Sequence, residues 1–345
     1  MSIPIKNIYY LLCYAWDKLE EGKHVDVSSD DYDEAIDLLS RVLVNGCTQL
    51  FKRGIDKDYL KVNEEYIGIK GKVDFNSSLR KNLFKKGRAV CEFDEFDANT
   101  LHNQILKYTL KRVLKIKTLN TKIANEVRSC LRRFPNVEEI ELRLSHFSMV
   151  KIHRNNSFYF FLLKICRLVY ENTVLDEKSG QYSFKEFIGN EKEMARLFEA
   201  FIRNFYKREQ NKFKIRREDI YWDAIALGES SKSYLPKMQT DTTLESENRK
   251  IIVETKYSEN ALKSRYDAEK FSSNNLYQLY SYLRNIETKT DHPLNVICEG
   301  VLLYPTVDYS LNESYQIGAH KFVIRTVNLG TDWKNIYKEL MSIIN

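Results

Sequence analysis

The sequence predicts a mixed α/β chain, in which an amino-terminal α+β domain is followed by a domain with a central mixed sheet flanked by helices. Three patterns predict the second domain. Apolar residues recur at helical spacing after Asn190, and two strand-like segments, residues 237–244 and 250–257, are joined by the short polar sequence ESENRK. A helical pattern then covers residues 274–285. Further strands near 296–304 and 321–327 and a closing helix from Thr331 complete a sheet covered by helices.

The amino-terminal elements follow from periodicity and from helix- and turn-forming residues. They are an opening helix after Pro4, a helix at about 32–52, short strands bounded by glycines in YIGIKGKVDF, a helix over NTLHNQILKYTLKRVLKIK and an apolar helix at 157–171. The lysines and arginines of the helix NTLHNQILKYTLKRVLKIK are typical of a solvent-exposed helix face opposite a buried apolar face. A polar stretch follows the apolar helix, and we predict domains at 1–150 and 151–345.

Composition favours an ordinary folded protein. The chain has 345 residues, 43% apolar and 30% charged, and its formal net charge of +6 suits a polyanionic partner without requiring one. Six cysteines are scattered without a C-x-x-C pair or a regular spacing that would suggest a zinc site or a disulfide framework, which favours a reducing cytoplasm. The apolar segment IYYLLCYAW lacks a basic leader and a cleavage site, and no run reaches the roughly 18 apolar residues of a membrane span. We therefore expect a cytoplasmic protein.

The segment TDTTLESENRKIIVETKY carries charges where a strand is predicted. Side chains alternate along a strand, so Glu254 and Lys256 share one face, and a hairpin through ESENRK brings Asp241 back toward Glu254. A second ETK triplet, at Glu287, follows a helix end and lacks the apolar strand. An edge strand with a solvated Glu and Lys face is the alternative interpretation of the same pattern.

Two carboxylates that converge in this way suit a hard divalent cation. Mg²⁺ takes oxygen ligands in octahedral geometry and keeps several waters among them. The protein typically supplies the remaining ligands, here Asp241, Glu254 and the backbone carbonyl of Thr255. The cation offsets charge that builds up on a phosphodiester, and Lys256 is placed to orient or deprotonate the attacking water. This chemistry predicts a hydrolase acting on a phosphate backbone.

These residues resemble the PD-(D/E)xK nuclease superfamily. Asp241 matches the first acidic position, and Glu254, Thr255 and Lys256 match the triplet, whereas Thr240 stands where the proline of the motif would be. Downstream, NLYQLYSYL is similar to the Q-x-x-x-Y element of RecB-like members, with Gln278 and Tyr282 one helical turn apart and in a supporting role. The same helix also fits a half-buried helix packed through three leucines, Leu276, Leu279 and Leu283.

Four further segments extend the resemblance to the McrC family, the nuclease subunits of McrBC modification-dependent restriction systems. They are IPIKNIYYLLCYAW, GIKGKVDF, FDEFDANTLHNQILK and NEKEM. The resemblance implies that the amino-terminal domain docks on a McrB-like AAA+ GTPase ring, which hydrolyses GTP and recognises modified cytosine in double-stranded DNA. It also implies that this chain stimulates that hydrolysis and cuts the DNA. The sequence contains no G-x-x-x-x-G-K-[ST] loop, so GTP is expected on the partner.

Several other charged residues are weaker candidates. Glu191, Glu193 and Glu199 precede the predicted sheet, where some relatives place an additional carboxylate near the metal; exposed helix charges are the alternative. Lys263, Arg265 and Lys270 follow the triplet closely enough to contact the DNA being cut. The basic run RKNLFKKGR at 80–88 fits DNA phosphates, an acidic partner surface or a solvated loop. Neither basic cluster shows alternating aromatics for base stacking.

Two other functions remain open at this point. One is an adaptor that activates the partner GTPase without cutting, and the other is a repair nuclease that needs no partner. The six histidines are isolated, with no H-x-H or H-E-x-x-H pair, so a zinc or histidine-based mechanism has little support.

Overall fold

A computed structural model describes residues 3–18, 34–151, 157–176, 180–185, 187, 190–258, 261–265, 268–289 and 292–345. The helices are α1 (Ile5–Ala15), α2 (Ala35–Arg53), α3 (Phe75–Arg80), α4 (Leu101–Val113), α5 (Thr121–Arg132), α6 (Leu144–Met149), α7 (Ser157–Glu171), α8 (Glu191–Glu209), α9 (Ser273–Glu287) and α10 (Trp333–Ile344). No helix within these ranges is long and apolar enough to cross a membrane.

The strands, in chain order, fall into one large sheet and several small ones. They are β1 (Asp58–Ile67), β2 (Lys72–Val73), β3 (Arg88–Asp97), β4 (Thr173–Asp176), β5 (Gln181–Phe184), β6 (Lys214–Arg216), β7 (Asp219–Ile220), β8 (Met238–Gln239), β9 (Thr242–Glu245), β10 (Lys250–Thr255), β11 (Leu262–Arg265), β12 (Ala268–Phe271), β13 (Glu299–Thr306), β14 (Asn312–Ile317) and β15 (His320–Asn328).

The chain forms two compact units, and their limits differ from the predicted domains. One unit joins residues 1–20 to residues 186–345, and the other comprises residues 21–185. The predicted junction at residue 150 therefore falls inside the second unit, because α7 packs there with α2 and α4. Helix α1, which we had placed with the amino-terminal domain, belongs to the unit that contains the large sheet.

Aromatic side chains and two asparagines hold α1 in that unit. The ring of Tyr14 lies 5.7 Å from Phe201 of α8 and 5.3 Å from Trp333 of α10. The Asn204 side-chain amide donates to the carbonyls of Tyr14 and Ala15 at the end of α1, where carbonyls lack partners within the helix. The Asn7 amide bonds the carbonyls of residues 329 and 331. The sequence predicted a helix after Pro4, but it did not identify the elements against which that helix packs.

The large sheet has the order β14-β15-β13-β10-β9-β6. Strands β10, β13 and β15 are mutually parallel, and β14, β9 and β6 run antiparallel to their neighbours, so the sheet is mixed, as predicted. Strand β10 lies between β13 and β9, and all six of its residues are buried. The alternative of an edge strand with a solvated charged face is therefore wrong.

Helix α9 covers one face of this sheet. Its residues Leu279, Leu283 and Ile286 are fully buried and pack in one cluster with Ile252 of β10. Gly300 of β13 allows the close approach, since a Cβ there would lie 2.7 Å from Leu283 Cδ1. This packing fixes the position of α9 relative to the carboxyl end of β10, where the predicted site lies.

Helix α8 begins at the expected asparagine. The side chain of Asn190 accepts hydrogen bonds from the backbone N–H groups of Lys192 and Glu193, which is the standard N-cap arrangement. The apolar face predicted from spacing is buried against the sheet unit: Met194, Phe198, Phe201, Ile202 and Phe205 have no exposed surface. The face is therefore a core face, and the first-turn glutamates point to solvent.

The second unit contains the three-stranded antiparallel sheet β1-β3-β2 and a group of helices. Strands β1 and β3 pair over ten residues, from Asp58 opposite Asp97 to Ile67 opposite Arg88. The sequence predicted only short strands around residues 66–75 and missed β3 and α5. Alternation in RAVCEFDEFD is weak because three consecutive residues, Ala89, Val90 and Cys91, are buried.

Strand β10 begins with a buried charge. Lys250 Nζ lies 3.0 Å from Glu218 Oε1, 2.8 Å from Asn295 Oδ1 and 3.7 Å from Glu245 Oε2, and its side chain is 2% exposed. Arg216 Nη2 also contacts Glu245, at 2.7 Å. These groups compensate one another's charge, and removal of Lys250 would leave Glu218 with only the more distant Arg216, at 3.6 Å.

We expect Lys250→Met to lower the free energy of unfolding by about 3 kcal/mol, because Glu218 loses its closest cation while Arg216 compensates in part. Urea denaturation followed by far-UV circular dichroism measures the change. Lys237→Met, which breaks the exposed pair with Asp219, is the matched control and should leave the urea midpoint unchanged. Equal midpoints for the two variants would contradict the expectation.

Candidate active site

Asp241 and Glu254 meet at the open end of the β9–β10 hairpin. The last paired residues of the ladder are Thr242 of β9 and Val253 of β10, so the next residues along, Asp241 and Glu254, face each other. The backbone N–H of Asp241 donates to Glu254 Oε1 at 3.0 Å. The structure thus brings together the two carboxylates that the sequence placed one hairpin apart.

The carboxylate of Asp241 is held by one edge of β10. Its Oδ2 accepts hydrogen bonds from the backbone N–H of Thr255 at 2.9 Å and from the Thr255 hydroxyl at 2.7 Å. Because the N–H and C=O of a strand residue point to the same edge, the Thr255 carbonyl faces this edge too, beyond the last β9 partner. Asp241 Oδ1 accepts no hydrogen bond from the described residues.

Glu254 is a buried acid beside another acid. Its residue exposure is 1%, and burial, with the charge of Asp241 as the second cause, raises the pKa of Glu254 to about 8. Lys256 and the Asp241 N–H act in the opposite direction. Two adjacent carboxylates of which one is desolvated are stable as anions only when a cation neutralises them. This requirement and the all-oxygen donor set fit Mg²⁺, which Asp241, Glu254 and the Thr255 carbonyl would hold.

Lys256 and the α9 residues complete a hydrogen-bonded chain. Lys256 Nζ donates to Gln278 Oε1 at 2.8 Å and lies 3.5 Å from Glu254 Oε2. Gln278 Nε2 donates to the Tyr282 hydroxyl at 2.8 Å, and Tyr282 donates to the Gln239 carbonyl at 3.2 Å. Helix α9 therefore packs on the sheet through its leucines and also contacts the site through Gln278 and Tyr282. The amine is held on the same side of the sheet as Glu254.

Comparison with known proteins identifies the family. A sequence model described as "McrBC 5-methylcytosine restriction system component" matches residues 6–305. A relative from Escherichia coli (strain K12), the Type IV methyl-directed restriction enzyme EcoKMcrBC, is 35% identical over 343 residues, which span 99% of this chain and 97% of the relative. The chain belongs to the McrBC family of restriction system components. The resemblance predicted from the separated motifs is thereby confirmed.

A solved structure supports the fold of this McrBC-family chain. It is a chain from the refined half-complex of the tetradecameric assembly of Thermococcus gammatolerans McrB AAA+ hexamers with bound McrC. The TM-score is 0.61 at 18% identity, and the match covers 99% of this chain and 76% of that chain. At this identity the likeness concerns the fold, and it agrees with the mixed sheet flanked by helices.

Of the three helix carboxylates, Glu199 is the one connected to the site. Its Oε1 accepts from Arg203 at 2.9 Å and from Arg217 at 2.6 Å, and Arg203 also donates to the main-chain carbonyl of Asp241 at 3.1 Å. Glu191 and Glu193 lie in the exposed first turn of α8. Within the described ranges, no three His, Cys, Asp or Glu side chains group closely enough to hold a metal. Sequence reasoning missed Arg203, although it lies one turn after Glu199.

In the McrBC-family chain, Arg203 anchors the backbone from which Asp241 projects. If Asp241 binds Mg²⁺, Arg203→Met should raise the Mg²⁺ concentration needed for half-maximal cleavage about tenfold, because substitution of residues that hold a metal ligand in place typically changes metal affinity by 10- to 100-fold. Arg217→Met is the matched control, since Arg217 contacts Glu199 but not Asp241. A Mg²⁺ titration of cleavage rate measures both, and equal titration curves for the two variants would refute the role.

The raised pKa of Glu254 predicts a pH-dependent stability. Between about pH 4.5 and pH 8 the folded chain keeps a proton on Glu254 that the unfolded chain has lost, so stability falls as pH rises through this window. Mg²⁺ should offset the loss by neutralising the carboxylates. We expect the Mg²⁺-induced rise in Tm to be larger at about pH 9 than at about pH 6. Glu254→Gln should abolish the difference, and an unchanged difference in that variant would contradict it.

The predicted DNA-contacting residues lie on the β11–β12 hairpin. Lys270 is exposed on β12, and its Cα pairs with that of Lys263 across the hairpin. The side chains of Lys263 and Arg265 lie outside the part of the chain that the structure describes. Contact of this hairpin with DNA stays a prediction.

Proposed function

We propose that this chain is the Mg²⁺-dependent DNA endonuclease subunit of a GTP-dependent restriction complex directed against modified cytosine. The observation that carries the proposal is the meeting of Asp241 and Glu254 at the end of adjacent strands, with Lys256 bonded to Gln278 on the same side. Family membership gives the biological setting, since the matching family is a 5-methylcytosine restriction system.

The residues divide the chemistry between them. When bound, Mg²⁺ supplies a Lewis acid that offsets the charge developing on the phosphate oxygens and eases deprotonation of water. Asp241 Oδ1, Glu254 and the Thr255 carbonyl would hold it. Lys256, fixed by Gln278, is placed to orient the attacking water or to take a proton from it. Water then adds to phosphorus, one phosphodiester P–O bond breaks, and the leaving oxygen takes up a proton.

We infer that a McrB-like AAA+ ring supplies the nucleotide chemistry. The Thermococcus gammatolerans assembly is described as McrB AAA+ hexamers with bound McrC. The present sequence has no phosphate-binding loop of the G-x-x-x-x-G-K-[ST] type. GTP therefore binds the partner, and this chain stimulates its hydrolysis and brings the cutting site to double-stranded DNA.

The test is cleavage by the chain purified with and without its partner. We expect double-strand cutting of DNA with modified cytosine only when partner, GTP and Mg²⁺ are all present, and none with EDTA or unmodified DNA. GTPase stimulation without any cutting would instead support the adaptor function. Cutting of unmodified DNA by the isolated chain would support a partner-independent repair nuclease.

A further inference from the structure

The far end of the β1–β3 pair carries an exposed apolar surface outside the site described above. We call residues 67–88 the tip module; it contains β2 and α3. Its exposed apolar side chains are Ile67, Ile69, Phe75, Leu79 and Phe84, with exposures of 73%, 73%, 63%, 62% and 42%. The rings of Phe75 and Phe84 lie side by side, with centroids 6.0 Å apart. Several exposed apolar side chains in one short segment, two of them in ring contact, are typical of a binding surface.

The tip module also concentrates the positive charge of the chain. It contains seven Lys or Arg residues and one Asp, a net charge of +6, which equals the net charge of all 345 residues. Its cations are Lys70, Lys72, Arg80, Lys81, Lys85, Lys86 and Arg88. Asp74, the single acid, caps α3 by accepting from Ser77. Among these cations, Lys81 pairs with a carboxylate outside the module, Glu65 at 3.0 Å.

The module is held rigidly on β3. The buried Ser78 hydroxyl accepts from the backbone N–H of Val90 at 2.8 Å, and Asp74 N–H donates to the Val90 carbonyl at 2.8 Å. Gly71, at φ +69°, lies so close to β3 that a Cβ would be 2.4 Å from the Glu92 carbonyl oxygen. Lys70 Nζ lies 3.7 Å from the centre of the Phe93 ring. The surface is therefore formed before any ligand arrives, which lowers the entropy cost of binding.

The composition of the patch favours a nucleic acid as its ligand. Five of the seven cations are lysines, and lysine is depleted at the cores of protein–protein interfaces, whereas lysine and arginine both neutralise phosphates. An exposed aromatic pair among such cations matches a surface on which a base stacks while the backbone follows the charges. The basic run at 80–88 shows no alternating aromatics because Phe84 is its single aromatic residue. Phe75 lies nine positions earlier and meets it only through the fold.

We propose that the tip module is a second DNA-contacting site, separate from the nuclease residues, which binds the phosphate backbone through its lysines and an unstacked base through Phe75 and Phe84. The inference rests on the proposed function only in taking DNA as the substrate. It concerns binding, whereas the nuclease proposal concerns cutting, so each can fail alone.

The test measures binding of the full chain to short fluorescent duplex and single-stranded DNA in EDTA by anisotropy, over a range of salt concentrations. For Lys72→Ala/Lys85→Ala/Lys86→Ala we expect at least tenfold weaker binding at low salt, with the salt slope reduced by about 0.9 per lost phosphate contact for duplex DNA. For Phe75→Ala/Phe84→Ala we expect roughly tenfold weaker binding of single strands and little change for duplex DNA.

The matched control is Lys321→Ala/Lys334→Ala/Lys338→Ala, which removes three exposed lysines from the sheet unit. Equal effects of the tip and control variants, or wild-type affinity in the tip lysine variant, would overturn the proposal. Unchanged DNA binding with lost stimulation of the partner GTPase would show that the tip docks on protein instead. DNA binding that depends on the tip module, without cleavage under any condition, would support this inference and contradict the nuclease proposal. Thermal melts establish that each variant is folded.

Discussion

Asp241→Asn is expected to reduce DNA cleavage by about a thousandfold or more while the partner GTPase is stimulated as before. The substitution removes the charge of one of the two facing carboxylates, and a bound cation contributes several kcal/mol of charge stabilisation to phosphodiester hydrolysis. An asparagine side-chain oxygen can still accept the hydrogen bonds that Thr255 donates to Asp241, so the hairpin should keep its geometry. Cleavage and GTP hydrolysis are measured in the same reaction.

Asp219→Asn provides the matched control for this prediction. Asp219 is a carboxylate on β7 that bonds the side chains of Lys237 and Gln239 and, among the described residues, has no hydrogen bond to Asp241, Glu254 or Lys256. Its replacement should leave the cleavage rate within about twofold of wild type. Full cleavage by the Asp241 variant in Mg²⁺ and GTP would remove the basis of the nuclease assignment.

Lys256→Met should lower the cleavage rate constant by about a hundredfold or more with little change in the Mg²⁺ requirement. Proton transfer or water orientation by a placed side chain contributes roughly 10²- to 10⁴-fold to a reaction, and methionine keeps the length of the side chain without its amine. The side chain is 20% exposed, so the substitution also leaves no buried cavity. Single-turnover cleavage with saturating partner isolates the chemical step.

Two further variants separate a direct role of the amine from a structural one. Gln278→Leu removes the acceptor 2.8 Å from Lys256 Nζ and should cost less than removal of the amine itself. Lys334→Met, on the exposed face of α10, controls for the loss of one positive charge. A Lys256→Met rate close to that of Lys334→Met would show that the amine has no part in the reaction.

Much of the site followed from local pattern in the sequence. The period of two in the strand placed Glu254 and Lys256 on one face, and the short polar link placed Asp241 opposite them. Helical spacing placed Gln278 and Tyr282 on one side of α9, where they share a hydrogen bond. Each of these inferences joins residues within one element or one hairpin, where periodicity and turn length determine the geometry.

What the sequence did not predict depends on contacts between distant segments. Arg203 reaches Asp241 across 38 positions, and neither residue type indicates the contact. Strand β10 could be an edge or a central strand until β13 was known to pair with it. Likewise, Phe75 and Phe84 form an aromatic pair only because α3 folds back on β3. Such contacts are set by tertiary packing, which overrides local propensity.

The packing of α1 against α8 and α10 makes residues 21–185 an insertion within a single folded body. Truncations at residue 150 or 186 would therefore strip the sheet unit of its first helix and expose Phe201 and Trp333 to water. A shorter nuclease fragment would need α1 reconnected directly to α8, for example by a glycine and serine linker in place of the insertion. The sheet unit is thus built from two chain segments that flank residues 21–185. Deletion variants designed to separate the functions of the two units must keep both segments.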